Sequence, residues 1–216
     1  MVQFEMDCDR GGGNAAACHS VGDFQCVIKQ DYKAAVETFT TNCERFKYPA
    51  SCFNIGKMIA GGHGTERNDK KMLSYFDVAC KGGHMQACHL QGLLLVQGSE
   101  GVTKDHSDKV SANPKLARQC WEKACEDSVG ESCYLLATQL LRKDRKGPYD
   151  RDPVKAKVLL EKACKRNHTS ACHNLAVMFR HGDEDVEPDT AQFRKYAALT
   201  EELAKQTGGL GGVKVA

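Results

Sequence analysis

Apolar and polar residues follow one another along the chain with the period of an α-helix. In four segments an apolar side chain stands four residues before a cysteine, and another stands eight residues before it. These triplets are Ala35-Phe39-Cys43, Met72-Phe76-Cys80, Ala117-Trp121-Cys125 and Ala156-Leu160-Cys164. Residues four apart lie on the same face of a helix, so each triplet predicts an amphipathic helix that packs inward. We refer to these as B helices.

A second kind of segment separates the B helices. In it, a cysteine is followed four residues later by glycine or alanine: Cys18/Gly22, Cys52/Gly56, Cys88/Gly92, Cys133/Ala137 and Cys172/Ala176. A small residue one turn after the cysteine lets a neighbouring helix approach that face. These segments predict A helices, whose cysteines are 34, 36, 45 and 39 residues apart. Such steps are typical of helical-hairpin repeats.

The alternation of A and B helices predicts an all-α solenoid of about five helix-turn-helix units, with at least nine helices. The units are expected near residues 8–43, 51–80, 87–125, 132–164 and 171–205. The last unit keeps the stripe with Tyr196 but has Thr200 in place of the cysteine, as a terminal unit without a following helix would. Residues 1–207 are expected to form one solenoid, with a mobile insertion at about 98–114 and a flexible glycine-rich tail at 208–216.

Composition and charge exclude several classes of function. The chain is 41% hydrophobic and 27% charged, which is typical of a globular protein, and its net charge of +2 gives no reason to expect nucleic-acid binding. No apolar stretch reaches the roughly 20 residues that a membrane span needs. The first ten residues lack a secretory signal, and their acidic side chains do not fit a mitochondrial presequence. We expect a monomer.

Eight of the 12 cysteines form four pairs in which a B-helix cysteine precedes the cysteine of the next A helix, and a fifth pair extends the series to the front. The pairs are Cys8/Cys18, Cys43/Cys52, Cys80/Cys88, Cys125/Cys133 and Cys164/Cys172. A continuous helix would separate two such Cα atoms by about 12 Å, whereas a disulfide allows roughly 4.4–6.8 Å. If the pairs are bonded, the chain must therefore reverse between them, and each bond staples one unit to the next.

Zinc is the alternative use of these cysteines. Two junctions also contain histidines: Cys80, His84, Cys88, His89 and Cys164, His168, Cys172, His173. The other two keep the cysteine spacing with no histidine between, so disulfides are preferred and no metal site is expected. Cys26 and Cys120 remain, and we expect buried free thiols, with a redox-active or cofactor-touching thiol as the alternative.

The endings of two B helices, 121–125 (Trp-Glu-Lys-Ala-Cys) and 160–164 (Leu-Glu-Lys-Ala-Cys), together with the A-helix cysteines, resemble Sel1-like repeats over about residues 8–205. The cysteine pairs are similar to those of the family's disulfide-linked branch. That branch contains cysteine-rich secreted proteins of Helicobacter and assembly factors for cytochrome c oxidase in the mitochondrial intermembrane space. The five-unit length, the early first pair, the insertion and the missing signal peptide favour the second group. The glycine-rich start at 11–13 and Cys26 depart from the family pattern.

The resemblance implies a non-catalytic scaffold that assembles respiratory complexes, chiefly cytochrome c oxidase and also complex I. It implies protein partners and import by the disulfide relay of the intermembrane space. No cofactor is expected. One alternative is a haem- or thiol-handling factor, with His84 or His168 as haem ligands. Others are a β-lactam-binding or β-lactam-hydrolysing protein and a reduced cytosolic Sel1 adaptor. The chain has no Ser-x-x-Lys, P-loop, dinucleotide or Cys-x-x-Cys motif, so an enzyme is not expected.

Overall fold

The computed structural model describes residue 8 and residues 13–127, 129–142 and 149–206. Ten α-helices lie within this part of the chain. In chain order they are α1 (Ala15–Val27), α2 (Tyr32–Phe46), α3 (Pro49–Gly61), α4 (Asp69–Lys81), α5 (Met85–Gln97), α6 (Pro114–Glu126), α7 (Gly130–Leu140), α8 (Pro153–Cys164), α9 (Thr169–His181) and α10 (Thr190–Gln206). Odd-numbered helices are the predicted A helices, and even-numbered helices are the predicted B helices.

Helices make up nearly all the regular structure of the described residues. The only strand-like pairings there are two isolated antiparallel bridges, between Ser99 and Val110 and between Asp183 and Val186. The prediction of an all-α fold with at least nine helices is therefore confirmed. The glycine-rich tail predicted at residues 208–216 lies outside the described residues.

The chain divides into two compact units, residues 1–120 and 121–216, with the boundary inside α6. In the first unit α1 packs on α2 and α3 packs on α4, and the hairpins meet through the pairs α2–α3 and α4–α5. In the second unit α7 packs on α8, α8 on α9 and α9 on α10. The prediction of one solenoid over residues 1–207 concerns how the two units join, and it stays a prediction.

The predicted B-helix stripe forms the core. Its large side chains are at most 8% exposed: Phe39, Phe76, Trp121, Leu160 and Tyr196. In the first two hairpins, a glycine of the A helix lies directly against the ring of the B helix. A Cβ atom added to Gly22 would lie 2.5 Å from Phe39 Cε1, and one added to Gly56 would lie 2.6 Å from Phe76 Cε1. The small residue after each of these A-helix cysteines therefore makes room for an aromatic ring of the partner helix, as predicted.

Each B helix begins after an aspartate or asparagine. A side-chain oxygen of this residue accepts a backbone N–H from the first turn at 2.8–3.1 Å. The capping residues are Asp31, Asn68, Asn113, Asp152 and Asp189. Such caps satisfy N–H groups that the helix itself leaves without acceptors. They fix where every described B helix starts.

The insertion before α6 is held by a buried aspartate. Asp108 is 1% exposed, and its carboxylate accepts N–H groups of Val102 and Thr103 at 3.0 Å and the Thr103 hydroxyl at 2.6 Å. It also accepts the Asp69 N–H at 3.2 Å, which ties the loop to the start of α4. The Thr103 hydroxyl, followed by these backbone donors, holds the pKa of the Asp108 carboxyl well below its usual range. The insertion is therefore anchored, whereas its length and glycine content predicted a mobile loop.

The close packing of Gly56 gives a stability prediction. We expect Gly56→Val to lower the free energy of unfolding by about 1–3 kcal/mol, because its side chain would overlap the Phe76 ring. Ala60→Val is the matched control, since Ala60 is exposed on the same helix. Denaturant unfolding of both oxidised variants measures the difference. Equal midpoints for the two variants would show that the helices do not meet closely at Gly56.

The Asp108 anchor gives a second prediction. In Asp108→Ala we expect the amide protons of Val102, Thr103 and Asp69 to exchange at least about tenfold faster, since each loses its acceptor. Asp105→Ala is the control, because it removes the same charge from an exposed side chain nearby. Because folding lowers this pKa, the stabilisation is complete above the unfolded value of about 3.9 and is lost as pH falls below it. Unchanged exchange in Asp108→Ala would refute the anchor.

Candidate functional site

Five cysteine pairs lie at disulfide distance, with Sγ–Sγ separations of 2.06–2.14 Å and Cα–Cα separations of 4.7–4.9 Å. They are the five pairs that the sequence predicts: Cys8–Cys18, Cys43–Cys52, Cys80–Cys88, Cys125–Cys133 and Cys164–Cys172. Four of them connect the last turn of a B helix to the first turn of the next A helix. These four junctions are the feature that the repeat shares from unit to unit.

The chain reverses inside these disulfide rings, as the distance argument requires. Lys47, Gly83 and Asn167 have φ values of +51°, +95° and +62°, in the left-handed region that commonly ends a helix. The A-helix cysteines at the four junctions, Cys52, Cys88, Cys133 and Cys172, are all fully buried. A reductant can reach these bonds only after the junction opens locally, so the disulfides and the packing protect each other.

Ring contacts accompany three of the junctions, tilted at the first and stacked at the other two. At each of these junctions, two aromatic rings are in contact. One belongs to the residue just before an A helix, and the other belongs to the residue directly after the cysteine of the A helix one repeat earlier. The pairs are Tyr48 with His19, His84 with Phe53, and His168 with Tyr134, with ring centroids 5.4, 4.0 and 4.4 Å apart. Both histidines that the sequence suggested as haem ligands therefore pack between successive A helices.

His84 lies in the first unit and is half-buried. Its Nδ1 atom is buried and has no hydrogen-bond partner among the described residues. Burial is the main cause that lowers the pKa of the imidazole, and the nearby His19 and Lys57 act in the same direction. The ring therefore favours its neutral form, in which it stacks on Phe53.

His168 lies in the second unit, and both of its ring nitrogens are engaged. Nδ1 accepts the Ala171 N–H at 3.2 Å, which caps α9, and Nε2 lies 2.6 Å from a carboxylate oxygen of Glu131. An iron ion would have to displace one of these contacts. Haem binding stays the alternative to the expected absence of a cofactor. Across the described part of the chain, no three histidine, cysteine or acidic side chains converge as a metal site would require.

A polar chain that no sequence motif indicates connects α1, α2 and α3. The Asn42 amide donates to Ala15 O at 2.8 Å and to the Ser51 hydroxyl at 2.7 Å. Ser51 Oγ lies 3.0 Å from His19 Nδ1, and His19 Nε2 lies 3.3 Å from Asp23. Serine, histidine and aspartate also make up hydrolase triads, but Ser51 is fully buried, so a substrate cannot reach its hydroxyl. The arrangement serves to hold the first junction together.

The two remaining cysteines lie on different helices. Cys26 is free and half-buried near the end of α1, and Cys120 is buried in α6 and takes no part in the five disulfides. A redox or cofactor role for either thiol stays a prediction.

The A helices leave a regular set of positions accessible. These are the second and fifth residues after each A-helix cysteine, which we refer to as the A face. In the first unit they are Ser20, Asp23, Asn54, Lys57, Leu90 and Leu93, and in the second unit they are Leu135, Thr138, Asn174 and Val177. Their chemistry changes from repeat to repeat, whereas the cysteines are the same in every repeat.

None of the described helices is long and apolar enough to cross a bilayer.

Comparison with known proteins identifies the repeat. A family model of the Sel1 repeat matches residues 49–84, 86–129, 130–168 and 169–194, which together are more than half of the chain. The model's repeats begin next to the A helices that the structure shows at α3, α5, α7 and α9.

Several curated relatives carry one name. Cytochrome c oxidase assembly factor 7 of Danio rerio is 28% identical over 141 residues, which are 63% of this chain and 58% of that protein. The human protein of that name is 28% identical over 129 residues, 58% of this chain and 53% of the relative. A Drosophila melanogaster homolog is 31% identical over 86 residues, 38% and 32% of the two chains. The chain thus spans about half the length of the first two relatives and a third of the fly protein.

Solved structures show the same fold. A protective antigen of uropathogenic Escherichia coli with an SLR fold superimposes with a TM-score of 0.77 at 19% identity, over 94% of this chain and 41% of the antigen. A Sel1 repeat protein of Oxalobacter formigenes gives a TM-score of 0.68 at 17% identity, over 86% and 68% of the two chains. At these identities the likeness concerns the fold alone.

The burial of His84 gives a prediction for pH dependence. Because folding lowers the pKa of His84, its contribution to stability is full above the unfolded value of about 6.5 and is lost as pH falls from there through the folded pKa. We expect His84→Tyr, which copies Tyr48 at the first junction, to lose less stability between about pH 7.5 and pH 5 than the unsubstituted protein. Denaturant unfolding at several pH values measures both slopes. Identical slopes would mean that water solvates the imidazolium in the folded protein.

Proposed function

Because the chain belongs to the Sel1 repeat family, we propose that it works by binding other proteins on its helical surface rather than by catalysing a reaction. Its curated relatives are named as assembly factors of cytochrome c oxidase, and the same role is assigned here to this chain. The observation that carries the proposal is the set of junctions between A and B helices. Each is stapled by a disulfide, which constrains the helices that carry the accessible A-face residues within each unit.

The disulfides support a location. Ten cysteines in five close pairs suit an oxidising compartment, whereas the cytosol keeps most thiols reduced. Together with the name of the relatives, this favours the mitochondrial intermembrane space, where oxidation of the cysteines retains the imported chain. The protein acts there as a monomer. Complex IV is its main client, and complex I is a second client within the same proposal.

Removal of the protein from its own cells tests this function. We expect depletion to lower assembled cytochrome c oxidase on native gels and oxygen consumption by the enzyme, and re-expression to restore both. Native-gel bands of complex I report the second client separately. Normal levels of assembled cytochrome c oxidase after complete depletion would overturn the proposal.

Two cysteine variants show whether the staple matters for the function. The pair Cys125→Ser and Cys133→Ser removes a ring closure worth roughly 2–3 kcal/mol, so we expect less protein in the cell and poor rescue of cytochrome c oxidase. Cys26→Ser is the control, because Cys26 lies outside the disulfides, and it should rescue fully. Full rescue by the double variant would show that the function does not depend on this junction.

The compartment has its own test. Alkylation of an acid-trapped extract without reductant should leave ten cysteines protected, whereas twelve reactive thiols would indicate a reduced cytosolic adaptor. Asn167, His168 and Thr169 form an Asn-x-Thr sequence at the turn before α9, with Asn167 exposed, and the secretory pathway glycosylates such sequences. We expect Asn167 without a glycan. A glycosylated chain would exclude the intermembrane space.

A further inference from the structure

The geometry of the first unit points to a specific docking groove. We propose that the groove between α3, α4 and α5 binds an amphipathic helical segment of a partner protein, whose apolar side chains fill the groove and whose carboxylate pairs with Lys57. This inference rests on the proposed function, because it names where a client protein is held. It goes further by stating the chemistry that the client must present.

The groove lies entirely within residues 1–120 and has a volume of about 510 Å³. Met72 and Phe76 of α4 form its buried floor. Ala60 lines one side, and the leucines of α5 line the other. This space is large enough for several side chains of a bound segment, and most of the surface that lines it is hydrocarbon, with Lys57 and Gln97 as its polar side chains.

In the described part of the chain, three leucines of α5 remain accessible beside the groove. Leu93 is 41% exposed, and Leu90 and Leu94 are half-buried along the same edge. The helix carries no charged residue from Met85 to Gln97. An exposed apolar row beside a groove is typical of surfaces that bind an amphipathic helix.

The charge at the rim selects the partner. Lys57 is exposed, is the only charged residue of α3, and lies on the groove. Its Nζ atom sits 5.3 Å from the centre of the Phe53 ring, and no carboxylate of the described residues forms an ion pair with it. A carboxylate on a bound segment would find a complementary charge there, whereas a lysine would be repelled.

The second unit provides a contrast at the equivalent position. Val177 follows its A-helix cysteine by the same five residues as Leu93, and it is 43% exposed. The cavity beside it is lined by Asn174, His181 and Asp183 and is therefore more polar. Val177 and Leu93 are equally exposed, but the surface beside Val177 is more polar, so Val177 serves as a control for Leu93.

Binding of designed peptides to the oxidised full chain tests the proposal. The first peptide is a fluorescent amphipathic helix of leucines flanked by glutamate, and two others replace the glutamates by lysine or the leucines by serine. Fluorescence anisotropy should show saturable binding of the first peptide and at least about tenfold weaker binding of the other two. Failure of every peptide to bind, or equal affinity for all three, would overturn the proposal.

Variants of the chain locate the site. Leu93→Glu should weaken binding of the glutamate peptide at least about tenfold, whereas Val177→Glu should change it less than about twofold. Lys57→Glu should reverse the preference towards the lysine peptide. Circular dichroism and disulfide mapping confirm that each variant is folded. Binding that survives Leu93→Glu, or a dimer of the free chain that this variant dissolves, would show that the groove does not hold a client segment.

Complementation in depleted cells separates this inference from the proposed function. If the unsubstituted chain restores cytochrome c oxidase and both Leu93→Glu and Lys57→Glu do so equally well, the assembly role stands and the groove is not its docking site. If the unsubstituted chain restores nothing, the assembly role fails, and peptide binding alone decides whether the groove binds such segments.

Discussion

The rest of the fold depends on a reversal of the chain that occurs within eight or nine residues and is closed by a disulfide. At such a junction the B helix ends, the backbone passes through a left-handed residue such as Lys47 or Gly83, and the next A helix begins. Eight residues of continuous helix would carry the two cysteines too far apart to bond. The bond therefore selects the reversed path in the unfolded chain as well as in the folded one.

This constraint explains which parts of the fold can be predicted from the sequence. Cysteines at a fixed distance, a small residue one turn later and an apolar stripe four and eight residues earlier are all local patterns. Each has a direct structural consequence, because Gly56 admits Phe76 and Cys80 meets Cys88. A repeated pattern also allows one junction to be compared with the others, so an interpretation that fits only some of them can be rejected. The disulfide pairing followed from the two junctions that lack histidine.

Contacts between residues far apart in sequence were not predictable in the same way. Asp108 and Asp69 are 39 residues apart, and nothing in a glycine-containing loop indicates that its aspartate will be buried against a helix start. The bond from Ser51 to His19 likewise spans 32 residues, far beyond the local spacings on which the predictions were based. The stacked rings were predictable only in part. His84 and His168 stand at the same position in two repeats, but this spacing suggests metal ligands as readily as packed rings.

The staple also determines where function can vary. Within each A helix the cysteine, the third residue after it and the small residue after that are buried, so changes there affect the packing of two hairpins at once. The second and fifth residues after the cysteine are accessible and are not buried between hairpins, so their chemistry differs from repeat to repeat. Asp23 and Lys57 are charged, whereas Leu93 and Val177 are apolar. The stapled junctions thus separate the residues that maintain the fold from the accessible residues that are free to vary. The run from polar Asn54 and Lys57 to apolar Leu90 and Leu93 places a charge beside a hydrocarbon surface, and that combination is what a client segment can recognise.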